Sequence, residues 1–195
     1  MKTSLILKIF LSLLFLSYPF VVYFGFQHLS MGTTTGLILL LFAIRLLVIG
    51  KSKSSLEKTV FIATIVMAII CLLGALLKEY KLIMLYPILM SLGLASLFAF
   101  SLKEGQTPIV EILARLKDKE LPLKAISYTR VVTKVWLGFF IINASISFYT
   151  YQFTNFETWT LYNGLISYFL MGLLMGVEYI VRLKLKKKWK VASDV

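Results

Sequence analysis

The lysines and arginines of this 195-residue chain cluster between long apolar runs, and they do so on alternate connections. A helix needs about 20 apolar residues to cross a bilayer. Six runs approach or reach that length, at residues 5–26, 33–49, 59–77, 82–102, 131–150 and 159–181. With six spans, every one of the 21 Lys and Arg except Lys78 and Lys81 falls on one side of the membrane. The positive-inside rule makes that side cytoplasmic and puts both termini there. The expected fold is therefore all-α: a single integral membrane domain of six transmembrane helices, N-in/C-in. It has a cytoplasmic connection at 103–130 and a basic tail at 182–195.

Composition agrees. Hydrophobic residues make up 59% of the chain and charged residues 15%, against about half and about a quarter in soluble domains. The net charge of +12 suits nucleic acid in principle. Its placement beside apolar runs suits anionic lipid instead, so membrane lipids are the expected partner and nucleic acid is not. The single cysteine, Cys71, lies inside an apolar run and reads as a small buried residue. It rules out a disulfide within the chain. One histidine, His28, and no Cys/His cluster give no metal site and no cofactor to expect.

The N-terminus could pass for a signal peptide, but Lys8 interrupts its apolar stretch. Tyr18-Pro19-Phe20-Val21-Val22-Tyr23-Phe24 is too bulky for a cleavage region, so a retained first helix is expected, kinked or split near Pro19. Arg45 lies one turn before the end of the second span, where it can snorkel to the headgroups. Pro87 lies in the first turns of the fourth, where a missing N–H costs least.

Within the cytoplasmic connection, Thr107 and Pro108 look like the cap and first residue of a helix over 108–117. Ile109, Ile112, Leu113 and Leu116 recur at helical spacing, with Glu111 and Arg115 as an i,i+4 pair on the wet side. This describes an amphipathic helix on the membrane surface. It would either plug the cytoplasmic face of the bundle or dock a partner.

The polar residues of the apolar spans concentrate in the last two. Thr129, Thr133, Trp136, Phe140, Asn143, Ser147 and Thr150 alternate at spacings of four and three, which is one helix face. It is either a seam whose hydroxyls and amide bond across the bundle or one wall of a polar cavity. On the sixth span, Asn163, Ser167, Leu174 and Glu178 share a stripe. Gly172 and Gly176 form a G-x-x-x-G pair nearly opposite, expected to let another helix approach. Glu178 pairs in sequence with Arg182 at i,i+4. That is either a boundary ion pair or a carboxylate for a cation, a proton or a substrate amine. Tyr23, Tyr80, Tyr151, Trp159 and Tyr162 fall near the outer boundary, and Trp136 and Trp189 near the inner one, as aromatic belts do. Lys184, Lys186, Lys187, Lys188 and Lys190 fit a lipid-headgroup anchor. The chain has no phosphate loop, no H-E-x-x-H and no G-x-S-x-G, so no catalytic residue is assigned.

Several motifs together resemble one family. They are Tyr128-Thr129-Arg130-x-Val132-Thr133-x-Val135-Trp136, Phe139-Phe140-x-x-Asn143, Trp159-x-Leu161-Tyr162-Asn163-Gly164-Leu165-Ile166-Ser167-Tyr168, and Glu178-Tyr179-x-Val181-Arg182. Tyr18-Pro19-Phe20-Val21-Val22-Tyr23-Phe24-Gly25 and Leu85-Tyr86-Pro87-Ile88-Leu89-Met90 fit the same picture. The family is one of bacterial inner-membrane proteins without an assigned activity, encoded beside fatty-acid-synthase-like genes that make aryl polyene pigments. More distantly, the layout is similar to the intracellular septation protein A family. The resemblance implies a bacterial inner (cytoplasmic) membrane, a cell-envelope context and partners in envelope or acyl-chain biosynthesis. The function it favours is a non-enzymatic accessory that binds or passes on lipid-like acyl or polyene products. The alternatives are an envelope or septation scaffold docking through 108–117, and a membrane transferase with Glu178 or His28 as base.

Overall fold

Long apolar stretches with few backbone breakers satisfy their own hydrogen bonds as helices, and the regular structure of the described residues is all helical. The computed structural model describes residues 18–49, 55–116, 118 and 120–191. Most of the expected first span lies outside these residues, as do the side chains of Arg45, Tyr80, Lys187, Lys188, Trp189 and Lys190. The helices are α1 (Tyr18–His28), α2 (Met31–Ile49), α3 (Ser55–Leu76), α4 (Tyr80–Met84), α5 (Tyr86–Ser101), α6 (Ile109–Arg115), α7 (Leu123–Phe153) and α8 (Phe156–Leu161). The chain then passes through a π-helical segment, Tyr162–Ile166, into α9 (Ser167–Val191). Lys81–Ser101, Leu123–Phe153 and Phe156–Lys186 are long and apolar enough to cross a membrane. The apolar stretches Gly32–Ile44 and Thr64–Leu76 are shorter.

Helix α3 ends in a Schellman turn. Lys78 stands in the left-handed region at φ 57°. Its N–H donates to the Ala75 carbonyl at 3.2 Å, and the Glu79 N–H reaches back to Gly74 at 2.8 Å. That pattern closes a helix end, and glycine usually fills the left-handed place. Helix α4 starts directly after it, earlier than the sequence suggests. Pro87 is nonetheless the second residue of α5, in its first turn as expected, where its missing N–H costs little. The α-helix is interrupted at Leu85, two residues ahead.

Packing groups the chain into two compact units, residues 1–90 with 146–165 and residues 91–145 with 166–195. In the first, α1 lies against α2 and α8, α2 against α3, and α3 against α4. Val22, Ile38, Phe42, Met67, Cys71, Ile83, Met84, Tyr86 and Trp159 form its core. Gly25 sets how closely α1 and α2 approach: a Cβ there would overlap the buried Thr34 side chain, with Oγ1 at 2.8 Å. Trp159 is fully buried, with its ring stacked on Phe156 at 5.8 Å. It is a core residue, not the interfacial belt residue its position in sequence suggests, because α8 turns it inward against α1.

The second unit has a core of Ala95, Phe98, Ile109 and Phe140. Trp136, Phe139 and Phe140 pack with centroids 5.6–5.7 Å apart, and Phe98 meets Phe140 edge-on at 5.2 Å, an arrangement aromatic rings favour. Helix α6 departs from expectation in two ways. It is capped by Ser101, whose Oγ accepts from the Ile109 N–H at 3.3 Å, and Thr107 makes no cap bond. Its faces are also turned round. Glu111 is buried with Ile109, while Ile112, Leu113 and Leu116 are exposed. Arg115 pairs with Glu111 at 2.7 Å, and a partner of opposite charge is what lets a carboxylate stay buried.

Candidate functional site

The polar face expected on α7 is a buried face. Thr129, Thr133, Phe140, Asn143, Ser147 and Thr150 are all buried, and Trp136 is half-buried. Three of its hydroxyls bond back to α7 itself. Thr129 donates to the Ile126 carbonyl, Thr133 to Thr129 and Thr150 to Ser147, at 2.7–3.0 Å. Such local bonds satisfy threonine inside apolar surroundings without any partner helix.

Within the first unit, Asn163 gathers the rest. Its Oδ1 accepts from Ser147 Oγ at 2.7 Å. Its Nδ2 donates to the Trp159 carbonyl at 2.9 Å and to Thr150 Oγ1 at 3.3 Å. Only 2% of the residue is exposed, so both ends of the amide are spent on neighbours. The π-helical segment is part of this arrangement. Its i→i+5 bonding disturbs the carbonyl–amide pairing of the turn before it, and the Asn163 side chain supplies a donor to that turn. One group beside this network stays unserved: among the described residues, Trp159 Nε1 is buried with no hydrogen-bond partner.

Asn143, in the second unit, donates from Nδ2 to Ser91 Oγ on α5 at 2.9 Å, again buried. Nearer the chain's basic tail lies a carboxylate cluster. Glu178 Oε1 lies 3.6 Å from Arg182 Nε and 3.4 Å from the Tyr128 hydroxyl, which also donates to the Glu178 carbonyl at 3.3 Å. The Arg182 guanidinium lies over the Tyr179 ring at 5.5 Å. These contacts are long for charge-assisted bonds. They hold the carboxylate between two groups without a tight pair. Beyond them, Arg130 donates to the Leu102 carbonyl at the end of α5 at 2.7 Å, and Lys186 meets Asp118 at 2.9 Å.

The structure thus separates the expected site residues into groups. Ser147 and Asn163 meet in the first unit; Asn143 bonds Ser91, and Glu178 meets Arg182, in the second. Ser167 is buried and Lys184 exposed. Gly172 and Gly176 are brought to nothing: both are exposed, and no described atom lies within 4 Å of where a Cβ would stand. Ser91, Tyr128 and Asp118 do not stand out by spacing, because their partners lie 50 or more residues away. Gly25 and Gly74 are in close contact instead, the latter with Glu79 O and Ile83 Cγ1 at 3.2 Å. No group of three or more metal-binding side chains occurs among the described residues. Comparison with known proteins found no matching family model, no similar curated protein and no similar solved structure.

Proposed function

We propose that this chain is a non-enzymatic accessory protein of a bacterial inner membrane that binds or passes on lipid-like acyl or polyene products. The observation that carries the reading is a division of labour between polar and apolar groups. The Asn163 amide is saturated by Ser147, Thr150 and the Trp159 carbonyl. The apolar side chains of the last helix point outward, among them Phe169, Leu173, Met175 and Ile180. Only 11% of the most apolar window of Phe156–Lys186 is buried. Long hydrocarbon chains would be held by such a surface through apolar contact, without a polar site.

Six spans with both termini cytoplasmic fit this reading. The Tyr128–Glu178 and Asp118–Lys186 contacts bring the 103–130 connection and the start of the basic tail together. Two membrane passes between them would do the same, and the charge distribution favours the cytoplasmic side. The direct test is photo-crosslinking with a diazirine fatty acid in lipid nanodiscs. Label is expected on Phe169, Leu173 and Ile180. If label is spread evenly over every lipid-facing helix, the chain is only a passive membrane resident.

A second reading has its own observation. Ile112, Leu113 and Leu116 are exposed on α6 at 39%, 52% and 81%, which suits a scaffold that docks an envelope or septation protein. A photoreactive residue at Leu116 would capture that protein in cells. Capture of lipid alone would leave the first reading standing.

A further inference from the structure

Two Glu–Arg pairs at i,i+4 spacing occur among the described residues, and they are built differently. In α6, Arg115 closes on Glu111: its Nε and Nη2 both reach Oε1, at 2.8 and 2.7 Å. In α9, Glu178 Oε1 stands 3.6 Å from Arg182 Nε, and no hydrogen bond joins them. Exposure does not explain the contrast, because the two arginines are almost equally exposed, at 40% and 43%. What differs is the neighbours. Tyr128 donates its hydroxyl to Glu178 Oε1 at 3.4 Å, and the Tyr179 ring lies under the Arg182 guanidinium at 5.5 Å, a placement arginine favours. Part of each partner is left over. Glu178 Oε2 and the Arg182 Nη atoms make no hydrogen bond among the described residues, and none of them is shut away from the surface. Around them Val177, Ile180 and Val181 are exposed, towards the end of a helix long and apolar enough to cross a membrane.

We propose that the open Glu178–Arg182 pair is a headgroup site for a phospholipid that carries a protonated amine, the phosphoethanolamine class. The ammonium donates to Glu178 Oε2. The phosphate accepts from the Arg182 Nη groups, whose flat fork suits its oxygens. An acid and a base side by side carry no net charge, so they offer little to a purely anionic group: what Arg182 attracts, Glu178 repels. A zwitterion laid antiparallel to the pair gains at both ends. In phosphoethanolamine only two methylenes lie between the amine and the phosphate ester oxygen, so both ends reach at once. The amine has to keep an N–H, because Glu178 accepts a hydrogen bond from it. A trimethylammonium group has the charge but no donor. Tyr128 holds Oε1 and Tyr179 holds the guanidinium, so the site is formed before the lipid arrives, which lowers the cost of binding. Lys184, exposed nearby, attracts any anionic phosphate whatever amine it carries. The inference needs α9 to end at a membrane surface, and it holds whether or not acyl or polyene products are bound.

The experiment is native mass spectrometry of the full chain in detergent micelles. Phosphatidylethanolamine, phosphatidylcholine and phosphatidylglycerol with identical acyl chains are offered in turn, so that a difference in retention reports the headgroup alone. Several-fold more ethanolamine lipid than choline lipid is expected to stay bound. Glu178→Gln is expected to remove that difference and to leave the glycerol lipid, held by the lysines, as it was. Equal retention of ethanolamine and choline lipids by the wild type would overturn the proposal, and so would a preference that persists in Glu178→Gln. If Glu178→Gln loses all three lipids, its fold is damaged, and the unsubstituted chain decides the matter. Offered ethanolamine lipids bearing one, two and three N-methyl groups, it should keep the first two and drop the third. A decline spread evenly over the three methyl groups, or none, would overturn the proposal. Soluble phosphoethanolamine at the lipid's concentration is expected to displace none of it. Displacement would overturn the membrane as the source of the ligand.

Discussion

Asn163 shows how much one amide can hold together. Replacing it with Ala would take from the buried Ser147 hydroxyl its acceptor, and from Thr150 Oγ1 and the Trp159 carbonyl one of their two bonds. A buried group left unpaired costs about 1–3 kcal/mol, so Asn163→Ala, which touches three hydrogen-bonded groups, should lower the unfolding midpoint clearly in detergent, and more than Asn143→Ala, which removes the partner of Ser91. Equal, small effects would mean that water enters the first unit. At Gly25 the arithmetic is steric. A methyl there meets Thr34 on α2, and overpacking of this kind costs about 1–3 kcal/mol. Gly25→Ala should be destabilising by thermal unfolding, whereas Gly172→Ala and Gly176→Ala, with open space around them, should shift stability by less than about 0.5 kcal/mol. The contrast also shows where sequence reasoning runs out at this scale. A glycine pair four apart is a visible pattern, yet Gly25, between Phe24 and Phe26, carries no pattern at all. Contact depends on which face the neighbouring helix covers.

At the scale of elements, the left-handed Lys78 is the clearest point of strain. A non-glycine residue in that region costs about 1–2 kcal/mol, offset in part by the flexibility glycine brings to the unfolded chain. Lys78→Gly is therefore expected to stabilise by about 0.5–1 kcal/mol, measured as a higher unfolding midpoint. No gain would mean that the lysine side chain makes a compensating contact. Helices α2, α3 and α5 lie close to where apolar length places them, because a long run without polar interruption leaves little choice, whereas α7 starts at Leu123 and takes in the end of the expected 103–130 connection. α6 is legible as a helix but not in its orientation. Its periodicity shows an apolar side and a charged side, and nothing local reveals that Arg115 allows Glu111 to be the buried one. The π-helical segment at Tyr162–Ile166 has no sequence signal either. The buried contacts that Asn163 makes from within it lie 4 to 16 residues away along the chain.

For the molecule as a whole, topology is the quantity most open to test. In a Cys71→Ser background, single cysteines at Lys78 and Lys186 should react with a membrane-impermeant maleimide from opposite sides. Labelling of both from one side would refute the six-span arrangement. The placement of lysine and arginine along the chain is enough to argue for this topology. By contrast, the grouping into two units cannot be read from the chain, since residues 146–165 join 1–90 through contacts set by packing, not by order. The candidate site is half legible for the same reason. Ser147, Asn143 and Asn163 stand out as polar residues in apolar helices. Which of them meet, and that Tyr128 joins Glu178, depends on contacts between residues 16 to 52 places apart along the chain.

Trp159 gives the first unit an optical reporter. Its indole is shut away from water, is stacked on Phe156, and has an N–H that bonds to nothing described. An indole in such surroundings emits at the blue end of its range and is hidden from aqueous quenchers. With Trp136 and Trp189 changed to Phe, the remaining emission would come from this one ring. A red shift would then register the arrival of water, or of a ligand oxygen, at a buried donor left waiting for an acceptor.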